Sequence, residues 1–451
     1  MIRTIRSASP HEEVRAILRV QMGEDPETRD LVSAIIREVV SRGDEAVVEY
    51  TRRFDRFEGT SMAGLRVGRE MMERAADELD PALLEALRAA AANIRAFHER
   101  QMDRGFLDLY PDGSVLGQRV TALERVGVYV PGGLAAYPSS VLMNVIPARV
   151  AGVESVVMVS PAPDGQLVPA VLAAAWIAGV DEFWCIGGAQ AVAALAWGTE
   201  SIHPVDKIVG PGNRWVAEAK RQVFGRVDID MIAGPSEILV VADSTAEATH
   251  VAADLIAQAE HDRDAIAWLV TDHLPLARAV PDAVAALLEK NPRREIASAS
   301  LRNNGLIVVV DDLRSAAEVA DLRAPEHLEL IVREPMQLAG AIRNAGAIFL
   351  GAHTPESLGD YYAGPNHVLP TGGTARWASP LGTYEFLKRT SLLGYSAERL
   401  ASHAADVIRL AEAENLPGHA EAVRVRFSAP AGHDTAADTA LNPSTGSTVL
   451  S

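Results

Sequence analysis

From residue 125 to residue 350 the chain repeats one texture, and that repetition constrains the fold more than any other feature. Short runs rich in Val and Ile (VGVYV, SVVMVS, EFWCIGG, DKIVG, then ILVVAD, AIAWLVTD, GLIVVV, HLELIV, GAIFL) are separated by glycine turns and by stretches of helical periodicity. Near-continuous apolar runs belong to strands covered on both faces, and parallel strands require a crossover connection, normally a helix. The pattern predicts an α/β protein: two doubly wound, Rossmann-like domains in succession, with small helical N- and C-terminal parts. A G-x-G-x-x-G fingerprint is absent from the sequence.

The flanks read differently. Residues 71–102 place Leu79, Leu83, Leu84, Leu87 and Ile94 at helical spacing, with Asp80 as an N-cap and Pro81 in the first turn of a new helix. Helical periodicity returns after residue 380, notably at 397–412. The last stretch, 428–451, is small and polar and is expected to be disordered. The sequence therefore divides into an N-terminal arm (1–20), a first α/β domain (21–125 with 235–380), a second (126–234), a C-terminal helical segment (381–427) and the tail.

Charge and cysteine content narrow the function. A net charge of −18 over 451 residues, with no basic patch, argues against nucleic acid or anionic membrane as partner. The longest apolar run, 167–180, is short and contains Pro169, so no membrane span is expected. The single cysteine, Cys185, forbids an intrachain disulfide and fits a cytoplasmic setting. It sits in an apolar strand-like run and reads as a packing residue.

Candidate chemistry is dispersed. The turns VPGG (130–133), IGGAQ (186–190) and GPGN (210–213) each follow a strand, where helix N-terminal N–H groups suit a pyrophosphate. A helix after Ser244 opens with S-x-x-E, a capping-box pattern, and ends in QAEH, where Gln258 and His261 share a face and can grip one metal ion. Taken alone, a Gln and a His at a helix end are ordinarily solvated. Glu326 and His327 are adjacent at the start of a strand, an acid/base pair if buried and an unremarkable exposed pair if not. The polar, glycine-rich stretch 353–373 carries Asp360 and His367, and the C-terminal part carries Glu414 and His419.

Together these runs resemble a known family. ERVGVYVPGGLAAYPSSVLMNVIPA, IGGAQAVAALAWGTE, VDKIVGPGNRWVAEAKR, IDMIAGPSEILVVAD, QAEH, APEHLE and GDYYAGPNHVLPTGGTAR resemble, in order, the L-histidinol dehydrogenase family over about residues 2–426. The resemblance implies one Zn²⁺ per subunit on Gln258, His261, Asp360 and His419. It also implies Glu326 and His327 as catalytic residues, and Tyr129, Gln190 and Asn213 as NAD⁺ contacts. Substrate contacts would be Ser236, His367 and Glu414, besides His327 and the metal ligands. The implied reaction is a four-electron oxidation of L-histidinol through L-histidinal to L-histidine with two NAD⁺, the last step of histidine biosynthesis. The implied assembly is a homodimer in which the C-terminal segment completes the partner's site.

Departures from the family pattern are confined to Ile232 and Ala122, where proline is usual; neither replaces a donor or acceptor. Three rival readings remain: a related zinc/NAD dehydrogenase acting on another small polar alcohol, a zinc hydrolase using the same donors to activate water, and a non-catalytic scaffold.

Overall fold

The computed structural model describes residues 2–6, 10–20, 25–132 and 137–428. The tail expected to be disordered lies, beyond Ser428, outside the described residues. The chain divides into two compact units, 1–103 with 121–388, and 104–120 with 389–451.

The first unit holds two six-stranded sheets. In one, the strand order is Arg3–Arg6, Leu306–Val309, Ile266–Thr271, Glu237–Ala242, His327–Ile331, Ala347–Leu350, all parallel. In the other it is Arg66–Val67, Glu182–Trp184, Ser155–Val159, Arg125–Tyr129, Lys207–Val209, Asp228–Ile229, parallel except for the antiparallel edge strand Arg66–Val67. Edge additions aside, each sheet starts at its centre, winds outward to one side, then returns to the centre and winds to the other. The two arrays therefore share one topology. In each, strand order reverses beside the first strand of the array, which creates the crevice where doubly wound sheets bind ligands. All six residues of Glu237–Ala242 and of Ile266–Thr271 are buried, as the unbroken apolar runs require.

The helical section after residue 25 serves the second sheet. Val32, Ile36, Val39, Ala46 and Val47, from helices Pro26–Arg42 and Asp44–Asp55, enter one core with Val157, Trp184, Val192 and Ile208. Helices Arg69–Asp77 and Pro81–Glu99 pack on the crossover helices Pro169–Ala178 and Pro138–Ala151 of that sheet. The sequence grouping of 21–125 with 235–380 does not match this packing. Amphipathic spacing shows that a helix has a buried face but not which sheet it covers. The N-terminal arm, by contrast, docks on the first sheet: Arg3–Arg6 pairs with Leu306–Val309, and Pro10–Val20 packs on Leu313–Arg323.

Local signals fared unevenly. Asp80 caps Pro81–Glu99 by accepting from Leu83 N at 2.9 Å. The capping box at Ser244 does not form. Glu247 is the N-cap of Ala248–Ala259 and makes no side-chain cap bond, while Asp243 accepts from Thr245 N (2.8 Å) and so rounds a turn ahead of the helix. Asp243, already fixed at the strand end by Arg333 N (2.8 Å), holds the segment that Ser244 would have needed. Cys185 is half-buried against the second core, and burial pushes its thiol up to about 12.

The second unit carries a three-stranded sheet, Leu387–Gly394, Val115–Ala122, Phe106–Leu109, and helices Ala397–Ala413 and Pro417–Arg424. The segment 381–427 is therefore not helical throughout as expected: its eight-residue strand is exposed along nearly its whole length and so lacks the apolar run that marks a buried strand. Arg399 ties it internally, stacking on the Tyr110 ring at 3.7 Å. Among the described residues, no helix is long and apolar enough to cross a membrane.

Candidate active site

The first sheet gathers its polar groups at the amino ends of its strands, the edge opposite to the one doubly wound sheets ordinarily use. Strands Glu237–Ala242 and His327–Ile331 pair with Ile238 beside His327, so Ser236, Glu237, Glu326 and His327 enter together. The crossover helix Ala248–Ala259 runs back toward that same edge, which delivers Gln258 and, just beyond, His261. Helix Glu356–Tyr361, after the last strand, brings Glu356 and Asp360.

His327 lies at the centre. Its Nδ1 is 3.1 Å from the Glu237 carbonyl, 3.6 Å from Glu356 Oε1 and 3.7 Å from Glu326 Oε2; its Nε2 is 3.7 Å from Asp360 Oδ1. A carbonyl only accepts, so Nδ1 carries a proton, and Nε2 is buried without a hydrogen bond. Glu326 accepts from Glu237 N at 2.9 Å through Oε2. Gln258 is completely buried; with its amide nitrogen inward it donates to Glu356 Oε1 (3.1 Å) and to the Glu237 carbonyl (3.3 Å). His367 Nδ1 lies 3.0 Å from the Asp360 carbonyl. A cavity of about 130 Å³ opens beside these groups, lined by His327, Phe349, Asp360 and His367.

Burial and like charge shape the ionisation. Burial raises Glu326 and Glu356 each to about 8. Burial works to lower His327, but Glu356, Glu326 and Asp360 overcome it and raise the imidazole. Asp360 is opposed by burial and yet held below its ordinary value, chiefly by His327 and then by His367 and His261. Desolvation lowers both His261 and His367. His261 is solvent-exposed as a residue, yet its ring feels the charges of Asp360 and His327.

This donor set suits a divalent cation. Donor atoms of His327, Glu356 and Asp360 lie within 4.8 Å of one another, and Glu356 Oε2 is a second buried atom without a partner. Gln258 and His261 add oxygen and nitrogen donors at the same strand edge. Glu414 and His419 lie in the second unit, exposed, at the end of Ala397–Ala413 and in Pro417–Arg424.

The dinucleotide candidates occupy the carboxyl edge of the second sheet. Tyr129 ends the strand Arg125–Tyr129, is buried, and accepts at its hydroxyl from Gly188 N (3.1 Å). Gln190 is buried in the helix following Glu182–Trp184, its Oε1 without a partner. Asn213 caps Arg214–Val223 through Oδ1, which accepts from Trp215 N (3.1 Å) and Val216 N (3.2 Å). Its amide nitrogen is thereby the side-chain group left to meet a ligand.

Comparison with known proteins gives the kinship. A family profile described as histidinol dehydrogenase matches residues 19–427. The chain belongs to the histidinol dehydrogenase family. It is 55% identical over 403 residues to the histidinol dehydrogenase of Rhodospirillum rubrum, covering 89% of this chain and 93% of the relative. The same coverage holds for the Bacillus subtilis enzyme at 53% identity. The crystal structure of histidinol dehydrogenase from Elizabethkingia anophelis superimposes with a TM-score of 0.88 at 34% identity, covering 94% of this chain and 98% of that one. The chain is thus an oxidoreductase by kinship.

For this family member, sequence reasoning passed over three buried carboxylates. Glu237 pairs with the buried Arg323 and accepts from Gly372 N (3.1 Å). Glu356 faces His327, and Glu329 accepts from Glu356 N (2.7 Å), fixing the start of the helix that bears Asp360. The signal was present for two of them. In ILVVAD and HLELIV an acid stands beside or inside an unbroken apolar run, and an acid in a strand covered on both faces must have a partner.

Proposed function

We propose that the chain oxidises L-histidinol through L-histidinal to L-histidine, with zinc bound and two NAD⁺ consumed, as a cytoplasmic homodimer. The observation that carries the reading is the buried Glu326–His327 pair facing Asp360 and Gln258, in a member of this family. Gln258, His261 and Asp360 would hold the metal from the first unit, with His419 reaching in from the C-terminal segment of a second copy as fourth ligand. When bound, zinc supplies a Lewis-acidic anchor for the substrate's nitrogens and NAD⁺ supplies the hydride acceptor.

The chain's own groups manage protons and position. The Nδ1–H of His327 is committed to the Glu237 carbonyl, which orients the ring and leaves Nε2 to take the alcohol proton. The ring of carboxylates stabilises the imidazolium so formed. Glu326 is held through one oxygen by Glu237 N, and burial places its pKa in the range where it both accepts and returns a proton near neutrality. It is the base suited to drawing a proton from water as the aldehyde is hydrated; His327 serves again in the second oxidation. Ser236, His367 and Glu414 would contact substrate.

Large exposed side chains in the second unit support association: Leu109 and Leu393 are each 75% exposed and Leu410 67%. Such a surface accords with a C-terminal segment that carries Glu414 and His419 to the partner's site.

The deciding experiment is the ratio of NADH formed to L-histidinol consumed by zinc-loaded protein. Two per substrate is expected. One would mean the chemistry stops at the aldehyde, and none would reject the reading.

A further inference from the structure

The turn 210–213 follows the strand Lys207–Val209, the neighbour of Arg125–Tyr129 across the point where strand order reverses. Gly210 is held there on both sides of its own backbone. Its N–H donates to Asp230 Oδ2 at 2.7 Å, and its carbonyl accepts from Lys220 Nζ at 3.0 Å. Lys220 and Asp230 pair with each other, their side chains only 2% and 1% exposed. Asp230 Oδ1 also accepts from Met231 N (2.6 Å), so the carboxylate is fixed from a third direction.

A buried ion pair is a poor way to gain stability, because desolvation offsets the attraction and an apolar pair of equal volume often does as well. What this pair does that an apolar pair would not is fix the two peptide planes that meet at the Gly210 Cα. The Cα between them has little room. Gly210 has φ +106°, and a Cβ there would stand 2.1 Å from the Tyr129 carbonyl oxygen. Three residues on, Asn213 spends its Oδ1 capping the next helix, so the turn is fastened at both ends.

We propose that Lys220 and Asp230 are positioning residues for dinucleotide binding: a buried clamp on the two peptides flanking Gly210 that presets the 210–213 turn and the exposed Asn213 amide for NAD⁺. The pair touches neither substrate nor metal and acts only through the turn. Preorganisation of this kind lowers the ordering cost of binding. The clamp rests on the assignment of this edge to NAD⁺.

The test uses two double variants of the full chain, zinc-loaded. Lys220→Met with Asp230→Leu removes both charges and the grip together, avoiding a lone buried charge. Lys220→Gln with Asp230→Asn removes the charges but keeps a donor for the Gly210 carbonyl and an acceptor for its N–H. Direct NAD⁺ titration and the KM values for NAD⁺ and L-histidinol are measured on both and on the parent, together with thermal midpoints. The apolar pair is expected to weaken NAD⁺ binding about tenfold, equivalent to roughly 1.4 kcal/mol, with the L-histidinol KM within about twofold. The amide pair is expected to recover most of the loss. Equal NAD⁺ affinity in the parent and the soluble apolar pair, which lacks the grip, overturns the clamp. So does an amide pair as weak as the apolar pair, or a loss that tracks the thermal midpoint across both variants. If the apolar pair does not fold, the amide pair decides: NAD⁺ affinity near the parent's supports the clamp and a tenfold loss overturns it. A parent chain that fails to bind NAD⁺ at all refutes the assignment of this edge, and the clamp with it.

Discussion

Glu326→Gln separates the two halves of the proposed reaction. The substitution is nearly isosteric, and an amide oxygen can still accept from Glu237 N, so the contact at 2.9 Å that anchors the side chain survives. What is lost is a base. Glu326 is buried, and burial raises it to about 8, close to the pH at which a general base works best. General acid–base catalysis typically contributes 10²–10⁴-fold, so oxidation of supplied L-histidinal should fall by roughly 10²–10⁴, or about 3–5 kcal/mol of barrier. The first oxidation relies on His327 Nε2. Glu356 at 3.6 Å and Asp360 at 3.7 Å remain to stabilise its imidazolium, so that step should fall by no more than about tenfold. Stopped-flow NADH formation, started once with L-histidinol and once with L-histidinal, reads the steps separately. Equal losses in both would refute the role assigned to Glu326.

Three further outcomes follow from particular contacts. His261→Asn should lower the zinc bound per chain, read by metal analysis after gel filtration; unchanged stoichiometry would remove His261 from the ligand set. Burial raises Asp55 to about 6, so the folded chain holds that proton more tightly than the unfolded one; the stabilisation is full below about pH 4 and is lost as pH rises through about 6. Asp55→Asn should therefore flatten that part of the stability profile in urea titrations between pH 4 and 7, and an unaltered slope would contradict the burial of this carboxyl. Asp80→Ala removes the cap on Leu83 N and should destabilise the first unit by about 1 kcal/mol, seen as a lower urea midpoint at unchanged slope.

The strands were legible because a doubly covered parallel sheet admits almost nothing but apolar side chains, and each of the nine runs formed a strand. Motif-based resemblance supplied the family. Less legible was the company each polar residue keeps. Gln258 ends a helix in a pattern that is usually solvated, yet it is wholly buried; Glu326 and His327 look like a loop-edge pair and are also buried. At Ser244 the capping pattern was satisfied on paper while Asp243 had already taken the turn for itself.

The sequence by itself determined the nine strands of the two α/β arrays and which family the residues suit, because periodicity, turn chemistry and ordered motifs are properties of neighbours along the chain. It did not reveal the strands Arg3–Arg6, Phe106–Leu109, Val115–Ala122 and Leu387–Gly394, which lack an unbroken apolar run. Only the tertiary structure decided that the helices of 26–99 cover the second sheet, and that the catalytic candidates meet at the amino ends of the first. It alone showed Glu237, Glu329 and Glu356 standing behind His327, and Lys220 and Asp230 closing on Gly210. Those relations depend on which apolar face finds which partner, and on how many charges one buried volume can tolerate. Both are set by packing between segments far apart in the chain, where local pattern carries no information.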